Sequence, residues 1–239
     1  MGRLALIGGH SILGSDPAAG FEPRDVETSR GTVRVFERGE QVLLQRHGFD
    51  RYTTAAKLDH PRNFAALAEL GCDRALAIGS VGGLRTELGV GTFLCPDDFI
   101  ALHLGLSLSD QHGGEQVPGF DPEWRRTVLD VWARVAEPEV IDGGVYWQAI
   151  GPRFETPAEI RLIAAHADVI GMTIASECVI AREMGIAYAA VCVVDNLANG
   201  IAAEPLSVEE FEAGKDENRE RLTEAIGLVG AELERGEGG

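Results

Sequence analysis

The chain lacks any close cluster of metal ligands. Its four cysteines, Cys72, Cys95, Cys178 and Cys192, are widely spaced and fall in apolar runs. That is the pattern of small core residues in a reducing compartment, not of a zinc site or a disulfide framework. No apolar run reaches the ~20 residues needed to span a bilayer, and the opening MGRLALIGG has no signal-peptide cleavage pattern. A soluble cytoplasmic protein is expected. Basic residues are scarce, 21 Lys and Arg against 38 Asp and Glu, and the resulting field has the wrong sign for nucleic acid or an anionic membrane. An anionic ligand must therefore be held by local arginines. Two phosphate-binding fingerprints are also missing: Gly8-Gly9 is not GxGxxG, and no Lys follows Gly14 as a P-loop requires. The absent fingerprint argues against a nicotinamide-dependent dehydrogenase.

What is present is an alternation. The 239 residues, 45% hydrophobic and 25% charged, can bury a large core, and one compact domain over residues 1–239, frayed at 235–239, is expected. Strand-like apolar runs occur at 4–9, 33–38, 41–46, 74–80, 145–151, 168–172 and 187–194. Between them PRNFAALAELG, DPEWRRTVLDVWARVAE, TPAEIRLIAAHA and ASECVIAREMG carry helical patterns, and a long charged amphipathic segment runs from Ser207 to Glu234. Strands alternating with helices imply an α/β fold around a mainly parallel sheet buried on both faces. Residues 103–124 have glycines, prolines and no period, so a surface loop or lid is expected there.

In such sheets ligands gather where loops leave the carboxyl ends of strands, and there the polar residues collect. LIGGHSILGS offers backbone N–H groups to an anion. QRHG places Arg46 and His47 at a strand end, where a guanidinium suits the paired oxygens of a phosphate, although an edge salt bridge is equally compatible. AIGSVGGL supplies Ser80 among glycines; GMT supplies Met172 and Thr173; VVDN supplies Asp195 and Asn196. GPRFETP reads as a helix start, with Thr156 as cap, Pro157 in the first turn and Glu159 completing a capping box. Phe154 and Glu155, just before that cap, are not needed by a helix start.

These segments resemble the trimeric branch of the purine nucleoside phosphorylases, most closely the methylthioadenosine and methylthioinosine phosphorylases. The resemblance spans roughly residues 4–230 and is most specific in GPRFETPAEIRLIAAHADVIGMT and ECVIAREMGIAYAAVCVVDN. It implies a three-layer α/β/α fold with a central mixed, mostly parallel sheet. It also implies cleavage of an N-glycosidic bond by phosphate as co-substrate, with no cofactor and no metal. By the same resemblance Gly9, His10, Ser11, Arg46, His47, Ser80 and Thr173 form the phosphate site, Met172 underlies the ribose, Phe154 packs on the purine, and Glu155 accepts a hydrogen bond from the base edge. Tyr52 and His60 are candidates for the sugar or for a neighbouring subunit's pocket, helix capping being the other reading of His60. A homotrimer, or a dimer of trimers, is the implied assembly.

The resemblance also frames the choice of substrate. Adenine-specific relatives read the base with an aspartate, 6-oxopurine-specific ones with an asparagine, whose amide donates without changing protonation. Alignment puts Asn196 in that position and Ala198 where adenine-specific relatives have a second aspartate, so hypoxanthine or guanine nucleosides are expected; a slip of one residue would substitute Asp195 and reverse the choice. PLSVEEF has Val208 and Phe211 and no histidine at the start of the last helix, which suits an apolar 5′ substituent such as methylthio. One departure is His10, which stands where relatives have Ser or Thr on the phosphate. The alternatives left open are a methylthioadenosine phosphorylase, a nucleosidase using water, and a non-catalytic nucleoside-binding relative.

Overall fold

The computed structural model describes residues 2–9, 20–49, 51–108, 115–202 and 208–235, with backbone alone for 208–217. Eleven strands among these residues join one mixed sheet. They are β1 (Arg3–Gly8), β2 (Glu22–Thr28), β3 (Gly31–Arg38), β4 (Gln41–Gln45), β5 (Cys72–Gly83) and β6 (Phe93–Cys95), then β7 (Asp98–Ile100), β8 (Val140–Asp142), β9 (Val145–Gln148), β10 (Val169–Gly171) and β11 (Ala187–Leu197). The helices are α1 (His60–Glu69), α2 (Pro122–Val135), α3 (Pro157–Ile163), α4 (Ile174–Met184) and α5 (Val208–Arg235).

The central strands are apolar at successive positions because both of their faces are covered. Along β1, Ala5 and Ile7 enter one core with Phe64 and Leu67 of α1 and Cys178 and Ala181 of α4. Leu4 and Leu6 enter the opposite core with Trp124 and Trp132 of α2 and Leu222 and Val229 of α5. β11 alternates likewise, Tyr188, Ala190 and Cys192 to the first core and Ala189, Val191 and Val193 to the second. The result is the three-layer α/β/α arrangement expected. All four cysteines are buried and unbridged; burial pushes the thiols of Cys72, Cys95 and Cys178 up to about 12, 11 and 12, and that of Cys192 higher still.

β5 is the axis of the sheet. Parallel β11 follows one of its sides from Arg74 to Gly83. On the other side parallel β1 accompanies it only as far as Ala77, and antiparallel β10 begins only at Gly82. Between those partners residues 78–81 have no ladder on that side among the described residues, and the sheet opens at its strand ends. This split is what creates room for a site.

Several elements differ from their sequence patterns. β5 continues beyond the expected 74–80 run, through the glycines of AIGSVGGL to Gly83, because β11 and β10 pair with it there. β11 likewise continues through Asp195 and Asn196. β6, β7 and β8 are three residues each, too short to show a period, and β2 is mostly exposed; they are strands because the sheet extends to them. The described parts of 103–124 before α2, residues 103–108 and 115–121, contain neither helix nor strand, and 109–114 lie outside the described residues, as do 236–239. Among the described residues no helix is long and apolar enough to cross a membrane.

Leu222, fully buried, is one of the residues that fasten α5 to the sheet. Leu222→Ala is expected to lower stability by about 2–5 kcal/mol, the usual cost of such a truncation. Urea unfolding checks this as a lower midpoint with an unchanged slope.

Candidate active site

The opening at the strand ends is a cavity of about 260 Å³. β4 contributes Arg46 and His47 from its end, β5 contributes Ser80, Val81 and Gly82, and the β10–α4 junction contributes Ile170, Gly171, Met172 and Thr173. The loop before α3 adds Pro152, Phe154 and Glu155, and β11 and its exit add Asn196, Ala198 and Asn199. Five strand-end segments distant in sequence therefore meet at one place.

Arg46 is buried beneath this cavity, its side chain 2% exposed. Its Nε and Nη2 donate to Oε1 and Oε2 of Glu177 on α4, at 2.5 and 3.0 Å, and Nη1 donates to the Ile78 carbonyl at 2.6 Å. That carbonyl belongs to the stretch of β5 without a ladder on that side. Tyr188 of β11 donates its hydroxyl to Oε2 of Glu177 at 2.7 Å, and Asn63 of α1 donates to the Arg46 carbonyl at 3.2 Å. Burial works against both charges, yet each ion sustains the other. Glu177 stays below the usual carboxylate range because Arg46 neutralises it, and Arg46 stays above the usual arginine value because of Glu177. Gly9 packs directly on this guanidinium: a Cβ there would collide with Nη1 of Arg46.

α4 is itself anchored from β9, whose alternate residues Tyr146 and Gln148 face its first turn. The Tyr146 hydroxyl accepts from the Thr173 and Ile174 N–H groups at 3.2 and 3.4 Å, and Gln148 Oε1 accepts from the Ser176 N–H at 3.0 Å. Orphan donors of the helix start are thereby satisfied. Thr173 is the residue preceding α4 but makes no side-chain capping bond, so its hydroxyl is left to the cavity that it lines. Met172 is wedged beside Gly151, whose φ of +66° and close approach to the Met172 sulfur leave no space for a side chain.

His47 donates Nδ1–H to the Thr53 carbonyl at 2.8 Å and stacks on Tyr52, ring centroids 4.9 Å apart; both line the cavity. The 153–159 loop carries the expected capping box, Thr156 with Glu159, and Arg153 pairs with Glu159 at 2.7 Å. Asn199 donates to the Glu155 carbonyl at 2.9 Å. Burial raises the Glu155 carboxyl above the usual range, with the nearby Glu159 adding to the effect and its own backbone N–H opposing it.

β11 separates the two candidate base readers. Its register against β5 slips between Val194, opposite Val81, and Asn196, opposite Gly82. Asp195 is the additional residue, fully buried and turned toward α5. It accepts hydrogen bonds from Asn218 at 3.0 Å and from the Ser80 hydroxyl. Asn196 lines the cavity and Asp195 does not. The same bond engages the Ser80 hydroxyl with Asp195, so that O–H is not aimed at an anion as expected from sequence.

His60 does not line the main cavity. It is the first residue of α1, whose cap is Asp59, and it faces an adjoining recess with Leu58, Ala101 and His103 that shares only Ala55, Ala149 and Met172 with the main cavity. Its Nδ1 is buried with no hydrogen-bond partner among the described residues, and burial holds its pKa below the ordinary histidine value, with Arg46 acting in the same direction and Glu177 and Asp59 opposing. His10 and Ser11 lie outside the described residues, as does the side chain of Val208. Glu177, Tyr146, Gln148, Tyr188 and Asn218 were not expected from the sequence. One signal was available: Glu177 is the sole carboxylate in the apolar run IASECVIA, and a charge on a buried helix face needs a partner.

Comparison with known proteins agrees with this geometry. Residues 3–228 match the family model described as the phosphorylase superfamily, and the chain belongs to that family. It is 36% identical over 224 residues, 92% of each chain, to a protein from Archaeoglobus fulgidus named probable 6-oxopurine nucleoside phosphorylase. It is 34% identical over 214 residues, 87% of this chain and 83% of the other, to a protein from Methanocaldococcus jannaschii named probable S-methyl-5'-thioinosine phosphorylase. Among solved structures, the methylthioadenosine phosphorylase of Schistosoma mansoni in complex with adenine superposes with a TM-score of 0.78 at 25% identity, covering 97% of this chain and 93% of the other.

The packing of Gly9 on Arg46 supplies a test of the anion site. Gly9→Ala is expected to weaken binding of inorganic phosphate by about tenfold or more, ~1.4 kcal/mol. The readout is unfolding temperature with and without phosphate: the wild-type protein is expected to gain stability and the variant to gain less, with the circular dichroism spectrum unchanged. Undiminished protection would show that Arg46 does not receive the phosphate.

Proposed function

We propose that the protein is a purine nucleoside phosphorylase acting on 6-oxopurine nucleosides, either 5′-methylthioinosine or inosine and guanosine, to give the free base and a ribose 1-phosphate. The observation that carries the choice of base is that Asn196, not Asp195, faces the cavity. A neutral amide can donate to N7 or O6 at any ordinary pH, whereas a carboxylate must first be protonated. Relatives named as probable 6-oxopurine nucleoside and S-methyl-5'-thioinosine phosphorylases support the same reading.

In this reading Arg46 and Thr173 receive phosphate on the sugar side of the cavity, with His47 beside them. Met172 packs under the ribose, its thioether against the sugar face. Phe154 covers the purine, Glu155 accepts the base N–H, and Asn196 stabilises negative charge developing on the leaving base. The transition state is a cationic, oxocarbenium-like sugar between phosphate and departing purine, and preorganised charges and dipoles at either end lower its energy. Phosphate is the nucleophile, so the reaction requires no cofactor. The assembly proposed is a homotrimer. Ile150 and Leu162, 61% and 65% exposed, lie beside Glu155 on a surface shared with Trp147 and Ile163, an apolar face suited to burial by a second copy.

The decisive experiment presents inosine, guanosine, adenosine, methylthioadenosine and methylthioinosine with and without phosphate. Phosphate-dependent release of hypoxanthine or guanine is expected from protein whose solution mass is three times the 25.6 kDa chain. Equal turnover without phosphate would make it a nucleosidase, preference for the adenine substrates would reverse the reading of Asn196, and a monomer would refute the trimer. A second expectation concerns pH. Glu155 accepts most strongly as the carboxylate, because protonation removes its charge and turns one oxygen into a donor, and its pKa is raised, so kcat/KM should fall on acidification sooner than an ordinary carboxylate would dictate. Persistence of the same acid limb in Glu155→Gln would assign it to another group.

A further inference from the structure

We infer that Glu177 is a positioning residue for phosphate, holding the Arg46 guanidinium so that one free N–H on each terminal nitrogen is presented as a pair. The inference rests on the reading that Arg46 receives phosphate. A guanidinium has five N–H donors. Glu177 takes Nε–H and one of Nη2, and the Ile78 carbonyl takes one of Nη1. Two donors remain without a partner among the described residues, one on each Nη nitrogen, and two parallel N–H groups are what a bidentate oxyanion takes from arginine.

The arrangement has a chemical oddity that a purely structural role does not explain. Pairing Arg46 with a buried carboxylate cancels the charge that would attract phosphate most strongly, and a buried ion pair contributes little stability beyond that of apolar residues of the same volume. Its distinctive product is orientation. Side-on pairing fixes the guanidinium plane, and Tyr188 fixes the carboxylate in turn by donating to Oε2 at 2.7 Å. Glu177 is one turn into α4, whose start is bonded to Tyr146 and Gln148. The Thr173 side chain lines the cavity from the same helix start. Arg46 and Thr173 are thus both referred to α4, and phosphate is received by groups whose separation does not depend on loop motion. The cost is weaker ground-state attraction; the gain is a nucleophile aimed at the anomeric carbon.

Charge cancellation and positioning predict opposite results, which makes the inference testable. Glu177→Gln retains size but removes the charge and one acceptor. If Glu177 positions Arg46, the KM for phosphate rises by about 10- to 100-fold, the scale on which orienting partners of a binding group act, while the KM for the nucleoside stays within about twofold. Tyr188→Phe, which deletes only the hydroxyl bond to Glu177, shifts the phosphate KM in the same direction by less. Tighter phosphate binding in Glu177→Gln, equal changes in both KM values, or no change in Tyr188→Phe would overturn the inference. Titration calorimetry with inorganic phosphate on the same proteins reads the affinity without turnover. A wild-type protein that binds phosphate but does not cleave nucleosides would refute the proposed function and leave the role of Glu177 decided by calorimetry. Should Glu177→Gln fail to fold, the Tyr188→Phe shift decides the question alone.

Discussion

The buried pair of Arg46 and Glu177 constrains the rest of the site. Removing one member of such a pair typically costs about 3–5 kcal/mol, because the other is left charged in a poorly solvating interior. Neither side chain can move independently, so the elements carrying them are tied together: the end of β4 through Arg46, α4 through Glu177, β11 through Tyr188 and β5 through the Ile78 carbonyl. The carbonyl is available because β5 exchanges β1 for β10 as its neighbour and has a short stretch without a ladder on that side. A break in sheet pairing thereby supplies both the cavity and an acceptor that fixes the Arg46 guanidinium lining it.

A second constraint acts on the base side. The bulge at Asp195 turns that carboxylate toward α5, where Asn218 and Ser80 satisfy it, and brings Asn196 to the cavity. Two adjacent residues that would read different purines are separated by one extra residue in a strand. In the proposed function, specificity is thus linked to the seat of α5, through a carboxylate that does not line the cavity. The Thr156–Glu159 capping box and the Asn199 bond perform the corresponding work for Phe154 and Glu155, holding the loop in which both stand.

Much of this was legible in the sequence, for specific reasons. β1, β4, β5 and β11 are apolar on both faces, so their runs announce buried parallel strands, and the capping residues of α2 and α3 mark where those helices begin. The residues at those strand ends line the cavity because in an α/β sheet strand ends share an edge. Other features had no local signal. β6, β7 and β8, three residues each, are strands only by pairing. Ser80 was read as a phosphate donor, yet its hydroxyl turns to Asp195. His60 was read as a sugar or subunit contact or a helix cap; Asp59 is the cap of α1, and His60 faces the adjoining recess.

The sequence by itself determined the layered α/β class and the set of polar residues at the strand ends, because hydrophobic period and helix caps are local properties of the chain. It determined too that an anion must be met by arginine rather than by a basic surface. Only the tertiary structure decided which of those residues face the cavity. The distinction between Asp195 and Asn196 depends on a register slip against β5, and the state of Arg46 depends on Glu177, a residue 131 positions away. Pairing register and the neutralisation of buried charge are relations between distant segments, and they acquire definite values only when the chain has folded.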